Sequence, residues 1–364
     1  MFNERIRIQR PDFSSGRRIL VVSDIHANLE YFKGLLEKLS FCDDDYLIID
    51  GDFLEKGNKN IETLRYIMKL YEKGNVYPLL GNCDSWYHAL SMGEKGDAHL
   101  HHYFNFRKTG LLYEMVQSLG VVPEKCMNIS SHREELAEKY KDEFSFLAGL
   151  PYAIETEKFI FVHAGIDDSC SLEEQTAESV SAREAFLKEG KSFDKWVIVG
   201  HWPVMLYSEN IVNANPILLK DRKIISLDGA CVLKDDGQLN GLIIPDKDSE
   251  EFSWMYYDCF PEKTILQDQD EGEKSYYIRW GDSEVQVLER GDEFSHCRHT
   301  RTGYEMDILS KYLFQDTEIT NCNDCSDYIL PLKKGDRVGV IEKTSRGYYV
   351  KHQGISGWYY GELE

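Results

Sequence analysis

Short apolar runs recur along the first two thirds of the chain: Ile19–Val22, Tyr46–Ile49, Val76–Leu80, Phe159–Val162, Trp196–Val199, Ile224–Leu227 and Leu242–Ile244. Most of their residues are β-branched or aromatic, the pattern of strands buried on both faces. Amphipathic patterns lie between them. Asn28 is placed to cap a helix with Leu29, Phe32, Leu36 and Leu39 on one face. Asn60 is placed to cap the next, with Ile61, Leu64, Met68 and Tyr71 inward and Gly74 just past its end. Ser131 with Glu134, and Ser171 with Glu174, have capping-box spacing. Leu136, Tyr140, Phe144 and Leu147 form one further helical face, stopped by Gly149 and Pro151. Strands alternating with helices predict an α/β layered domain over residues 1–247, interrupted at 85–150 by a mainly helical insertion placed as a lid.

Beyond Pro245 the texture changes to short strand-like pieces rich in aromatics. Val285–Leu313 loosely echoes Val338–Leu363: alternating apolar residues, a Gly turn, then Gly303-Tyr304 in one and Gly357-Trp358 in the other. The echo predicts one or two small β-barrels, a β-rich region over 248–320 and a second over 326–364.

Charge narrows the class of partner. The chain carries 42 Lys+Arg against 63 Asp+Glu, a net −21, so a polyanion or an anionic membrane surface is repelled. No nucleic-acid or membrane partner is expected. Nine cysteines, an odd number without framework spacing, and an N-terminus lacking an apolar segment lead to a cytoplasmic expectation.

The candidate chemistry lies where the strands end. Asp24 and His26 follow the first run, Asp52 the second, Asn82 with Cys83 and Asp84 the third, His163 the fourth and His201 the fifth. Ligands bind at the carboxyl ends of strands in such sheets. Asp24, His26, Asp52, Asn82, His163 and His201 together make a mixed oxygen and nitrogen donor set suited to manganese, iron or zinc. Two such ions about 3.5–4 Å apart can clamp the attacking and leaving oxygens of a phosphoryl displacement. His99, His101 and His102 read as a solvated turn or lid lining, Cys322 and Cys325 as a pair without a second zinc pair, and Asp43-Asp44-Asp45 as a loop.

DIHAN, GDFLEKG, GNCD, FVHAGI and GHWP, in that order, resemble the metallophosphoesterase (calcineurin-like) superfamily over about residues 17–245. The resemblance is nearest to its phosphoprotein-phosphatase branch, which includes bacterial serine/threonine phosphatases and diadenosine tetraphosphatases. It implies a four-layer αββα sandwich with two metals. Asp24, His26 and Asp52 would hold one, and Asp52, Asn82, His163 and His201 the other, with a hydroxide between them attacking phosphorus. SAREAFL resembles a family segment that would make Arg183, on a helix, a phosphate ligand. The C-terminal segment GDRVGVIEKTSRGYYVKHQGISGWYYGELE is similar to bacterial SH3-like domains and implies a peptide or protein ligand, with Tyr348, Tyr349, Trp358, Tyr359 and Tyr360 lining a groove or filling a core.

Three positions depart from the family pattern. Cys83 stands where the branch has its leaving-group acid, a histidine oriented by the residue that is Asp84 here. Glu55-Lys56 replaces the usual Asp-Arg, leaving Lys56 as a point charge for a phosphate. GHWP lacks the second histidine of diesterase relatives. The expected function is therefore phosphate-ester hydrolysis, of a phosphoprotein or small monoester. A phosphodiester or dinucleotide polyphosphate substrate is the enzymatic alternative. A catalytically weak, metal-bound scaffold acting through its SH3-like region is the non-enzymatic one.

Overall fold

A computed structural model of the chain describes residues 5–86 and 96–364. It divides into two compact units: Met1–Pro203, Pro216–Leu233 and Gln238–Tyr257 form the first, and Val204–Asn215, Lys234–Gly237 and Asp258–Glu364 the second.

The strands are β1 (Ile8–Gln9), β2 (Ile19–Val22), β3 (Tyr46–Asp50), β4 (Val76–Leu79), β5 (Ala153–Glu155), β6 (Phe159–Val162), β7 (Trp196–Val199), β8 (Val212–Asn213), β9 (Ile217–Leu219), β10 (Ile224–Ser226), β11 (Leu239–Ile244) and β12 (Ser253–Tyr257). Helix α1 (Leu29–Lys38) joins β2 to β3, and α2 (Asn60–Tyr71) joins β3 to β4. All seven apolar runs are strands. In the first unit one sheet has the order β1-β5-β6-β7-β10-β9 and the other β12-β11-β2-β3-β4. The pairs β2/β3, β3/β4, β6/β7 and β7/β10 are parallel.

Period-two alternation builds two cores from one strand. Ile19 and Val21 join Ile48, Phe161, Ile198 and Ile225 between the sheets. Leu20 and Val22 point the other way, onto Phe32 and Leu35 of α1 and Leu64 and Ile67 of α2. The result is an α/β sandwich whose parallel strands are buried on both faces. No described helix is long and apolar enough to cross a membrane.

Several expectations need correction. The first unit runs past residue 247 to Tyr257, because β12 pairs antiparallel with the whole middle of β11, from Leu239↔Tyr257 to Ile243↔Ser253. Residues 204–215 and 234–237 belong to the second unit instead: β8 adds to the Ile355–Tyr359 strand there, and Lys234 pairs with Asp324 at 2.5 Å. Asn60 is the first residue of α2 and not its cap. The Glu114 carboxylate accepts from Asn60 N and Ile61 N at 2.8 and 2.9 Å and so serves the helix start. Ser131 makes no capping box, since its hydroxyl donates to Asn128 O within the 3₁₀ turn Ile129–His132. The helix through Tyr140 is two helices, Arg133–Lys139 and Lys141–Gly149, broken at Tyr140 (φ −116°, ψ 31°). The rest of the described insertion is helical too, with Asp97–Arg107 and Leu111–Gln117. Part of the predicted insertion, residues 87–95, lies outside the described residues.

The second unit is antiparallel. The strands Glu284–Glu289, Phe294–His299 and Glu305–Leu309 form a meander, and so do Arg337–Lys343, Tyr348–His352 and Ile355–Tyr359. Each meander carries a register shift at the same place in its first strand, Val287/Glu289 and Val340/Glu342. The weak sequence echo is thus a structural repeat. Its two halves are not separate segments of chain, however, because Glu262–Thr264 pairs with Arg337–Lys343 from the second half. The groove aromatics divide: Tyr359 is fully buried and the Trp358 indole donates to Ser326 O at 2.7 Å, whereas Tyr360 is exposed.

Candidate metal centre

The loops leaving β2, β3, β4, β6 and β7 converge within the first unit. Ligand atoms of His26, Asp52 and Cys83 lie within 4.8 Å of one another, and so do those of Asp52, His163 and His201. These are the two such groups among the described residues, and Asp52 belongs to both. Asp24 Oδ1 is 3.7 Å from His26 Nε2. Cys322 and Cys325 belong to neither group. His101 Nε2 donates to Glu124 O at 2.8 Å, which makes it an anchor of the insertion.

The local backbone is bent to present these side chains. Asp24, His26, Asp52 and His201 all have left-handed φ (56°, 48°, 48° and 65°), a conformation that costs a non-glycine residue roughly 1–2 kcal/mol. Four such residues at three strand ends, after β2, β3 and β7, mark a place where geometry is held against local preference. Close approach does the rest. A Cβ on Gly51 (φ 76°) would come 2.7 Å from His163 Nδ1, and one on Gly200 would collide with Ser23 and Asp24.

Partners outside the cluster set the donor atoms. His26 Nδ1 donates to Leu54 O at 3.3 Å and His163 Nδ1 to Asp50 O at 2.9 Å, so each ring is held with its Nε2 turned towards the centre. Asp24 Oδ2 accepts from the Ser23 hydroxyl and from His201 N, leaving Oδ1 unpartnered. Asp52 Oδ1 accepts from Cys83 N at 2.8 Å. Asn82 Oδ1 and His163 Nε2 are also buried without a hydrogen-bond partner.

Electrostatics describe a site built for cations. Burial opposes ionisation of Asp52, but His163 and His26 outweigh it and hold the carboxyl well below its usual range. Burial likewise opposes a proton on His163, yet Asp52 and Asp24 push it up to about 10. Burial lowers His26 and His201 to about 3, which keeps their imidazoles neutral as ligands. Orphaned buried oxygens and nitrogens facing paired carboxylates fit divalent metal chemistry, with Asp52 placed to bridge.

The other predicted residues fare differently. Lys56 Nζ reaches the cluster, 3.1 Å from His26 Nε2. Asp84 is a brace: its oxygens accept from Leu54 N and Gly81 N at 3.0 and 2.9 Å, tying the β3 loop to the β4 loop. Burial, then Asp52, raises it to about 8. Arg183 is not on a helix, since the segment before it ends at Ser181, and its guanidinium is held by Glu189 at 2.8 Å.

The sequence reading missed Asp228. It follows β10, is buried, accepts from Ala230 N at 2.8 Å through Oδ1, and leaves Oδ2 unpartnered. Burial, then Asp24, raises it well above the usual range. The signal was present, because Asp228-Gly229 after an apolar run repeats the Asp-or-His-with-glycine pattern of the other strand ends.

Residues 17–226 match the Calcineurin-like phosphoesterase family. The symmetrical bis(5'-nucleosyl)-tetraphosphatase of Buchnera aphidicola (Acyrthosiphon pisum, strain Tuc7) is 36% identical over 117 residues, 30% of this chain and 42% of that protein. This chain therefore spans about two fifths of that relative's length. The asymmetrical enzyme PrpE of Bacillus velezensis is 25% identical over 269 residues, 66% of this chain and 94% of its own. Among solved structures, a putative diadenosine tetraphosphatase matches with TM-score 0.43 at 18% identity, covering 69% of this chain and 98% of that one. On its matched residues, this chain belongs to the calcineurin-like phosphoesterase family.

Proposed function

We propose that the chain is a metal-dependent phosphoesterase that hydrolyses the phosphoanhydride of a dinucleoside polyphosphate. Asp24, His26, Asp52, Asn82, His163 and His201 would hold two divalent ions, manganese foremost. Bound there, such ions would supply Lewis-acid polarisation of phosphoryl oxygens and the local positive potential that this acidic chain otherwise lacks.

The choice of substrate rests on Cys83. Its thiol is buried in the cluster, and burial followed by the Asp52 carboxylate pushes its ionisation well above the usual range. It stands where the resemblance calls for an imidazole acid. A serine or threonine alkoxide must be protonated as its bond to phosphorus breaks, and a buried thiol is a poor donor for that step. A nucleotide leaves as a stabilised phosphate anion and needs no such acid. The curated relatives, named as nucleosyl tetraphosphatases, support the same reading. Within the chain, Lys56 would meet phosphoryl oxygens as a point charge. Arg183, held by Glu189, is assigned no part. We read the second unit as SH3-like, supported by its repeated bulged meanders, with exposed Tyr360 beside Trp358 as part of a peptide-binding face.

The test is a substrate panel for the purified chain with Mn²⁺: diadenosine tetraphosphate, an aryl phosphomonoester and a phosphothreonine peptide. The proposal expects kcat/KM for the dinucleotide to exceed the others by about tenfold or more. Faster hydrolysis of the peptide overturns the substrate. Turnover of none overturns the enzyme and leaves the metal-bound scaffold.

A further inference from the structure

The GDFLEKG loop, which carries Lys56, is fastened by the helical insertion at several points. Glu55 is buried, its Oε1 accepting from Leu111 N at 2.8 Å and its Oε2 from the Tyr103 hydroxyl. Gly110 packs so closely on this carboxyl that a Cβ there (φ 122°) would collide with it. Thr109 donates to Gly57 O, and Glu114 accepts from Asn60 N, Asn60 Nδ2 and Ile61 N. Asn60 Oδ1 in turn accepts from Glu55 N at 2.6 Å. Between these fastenings the backbone is strained, with Glu55 and Lys56 consecutive non-glycine residues at φ 65° and 64°. That double left-handed turn aims Lys56 inward, to 3.1 Å from His26 Nε2.

Packing alone does not call for a carboxyl here. The Tyr103 ring already stacks on Trp86 at 4.1 Å between centroids, and a leucine at 55 would fill space without desolvating an acid. What the carboxyl adds is direction: two donors from the insertion fix the loop immediately before Lys56. A lysine has a flexible stem and no planar fork, so the place of its charge depends on where the backbone starts it.

We propose that Glu55 is a positioning residue, clasped by Tyr103 and Leu111, that sets the Lys56 ammonium at the metal centre, making the insertion a brace for phosphate binding. The inference rests on the phosphoesterase reading above, in which Lys56 meets the phosphoryl oxygens.

The test is a double-mutant cycle on the full chain with Mn²⁺, reading KM and kcat for the substrate and the affinity for inorganic phosphate by calorimetry. Tyr103→Phe keeps the ring on Trp86 and removes the hydroxyl. It is expected to raise KM and the phosphate dissociation constant about three- to tenfold, with kcat changing less. Lys56→Ala should raise both further, and adding Tyr103→Phe to it should change nothing more. Glu55→Ala should behave like Lys56→Ala, and Glu55→Gln should recover most of that loss by keeping an acceptor for Leu111 N. An equal Tyr103→Phe effect in the Lys56→Ala background would overturn the proposal, as would unchanged phosphate affinity in Tyr103→Phe. Calorimetry separates the two readings. Absent turnover defeats the phosphoesterase, whereas the brace still stands or falls on whether phosphate binding depends on Tyr103 only when Lys56 is present.

Discussion

Replacing Glu55 by glutamine tests the insertion clasp through its proton. Burial raises this carboxyl from its usual 4.5 to about 7, against the Tyr103 hydroxyl and Leu111 N, which favour the ionised form. The folded chain therefore keeps a proton that the unfolded chain has released. The stability supplied by the neutral carboxyl is complete below pH 4.5, falls as the pH rises towards 7, and is gone above that. At 1.36 kcal/mol for each pH unit of displacement, the loss across that window is about 3 kcal/mol. Glutamine has the same shape, can accept from Leu111 N and does not titrate. Urea denaturation of both proteins at fixed ionic strength, from pH 4.5 to 8, isolates the Glu55 contribution, because every other titrating group is shared. The stability of Glu55→Gln relative to the native chain should climb by about 3 kcal/mol from pH 4.5 to 7 and then level. Parallel curves, within about 0.5 kcal/mol throughout, would refute the buried, neutral clasp.

Two further changes address other parts of the account. Glu114→Ala removes the carboxylate at the start of α2 and should cost about 1–2 kcal/mol in urea denaturation, with Glu114→Gln losing less; a cost below about 0.3 kcal/mol would mean the helix start is served by solvent. Cys83→His supplies the missing acid and should raise kcat on the phosphothreonine peptide, whose alkoxide must be protonated as it leaves, while changing dinucleotide hydrolysis little; an unchanged peptide rate would place the limiting step elsewhere.

Much of the first unit was legible in the sequence because parallel strands buried on both faces leave unbroken apolar runs, as in Ile19–Val22 and Phe159–Val162. The site was legible for a related reason. A strand that ends in Asp, Asn or His beside glycine shows both the ligand and the turn that presents it. Asp228, directly after Ile224–Leu227 and beside Gly229, obeys the same rule. The insertion's role was not legible. Glu55, Tyr103 and Leu111 are far apart in sequence, and a carboxyl clasped across that distance has no local pattern. Glu114 reaches the start of α2 across 54 residues, so Asn60 looked like its own cap. The domain boundary failed for another tertiary reason: Ser253–Tyr257 has a strand pattern, but only pairing with β11 assigns it to the first unit. Likewise, Val212–Asn213 carries no signal that it completes a sheet with Ile355–Tyr359.

The central claim is that five strand ends assemble a two-metal centre bridged by Asp52, and metal stoichiometry tests it most directly. Elemental analysis of the purified chain equilibrated with Mn²⁺ and freed of excess ion should find close to two equivalents. Asp52→Asn keeps the shape of the side chain and removes its charge, and it should retain fewer than one while abolishing turnover. Two equivalents retained by Asp52→Asn, or none bound by the native chain, would contradict the account.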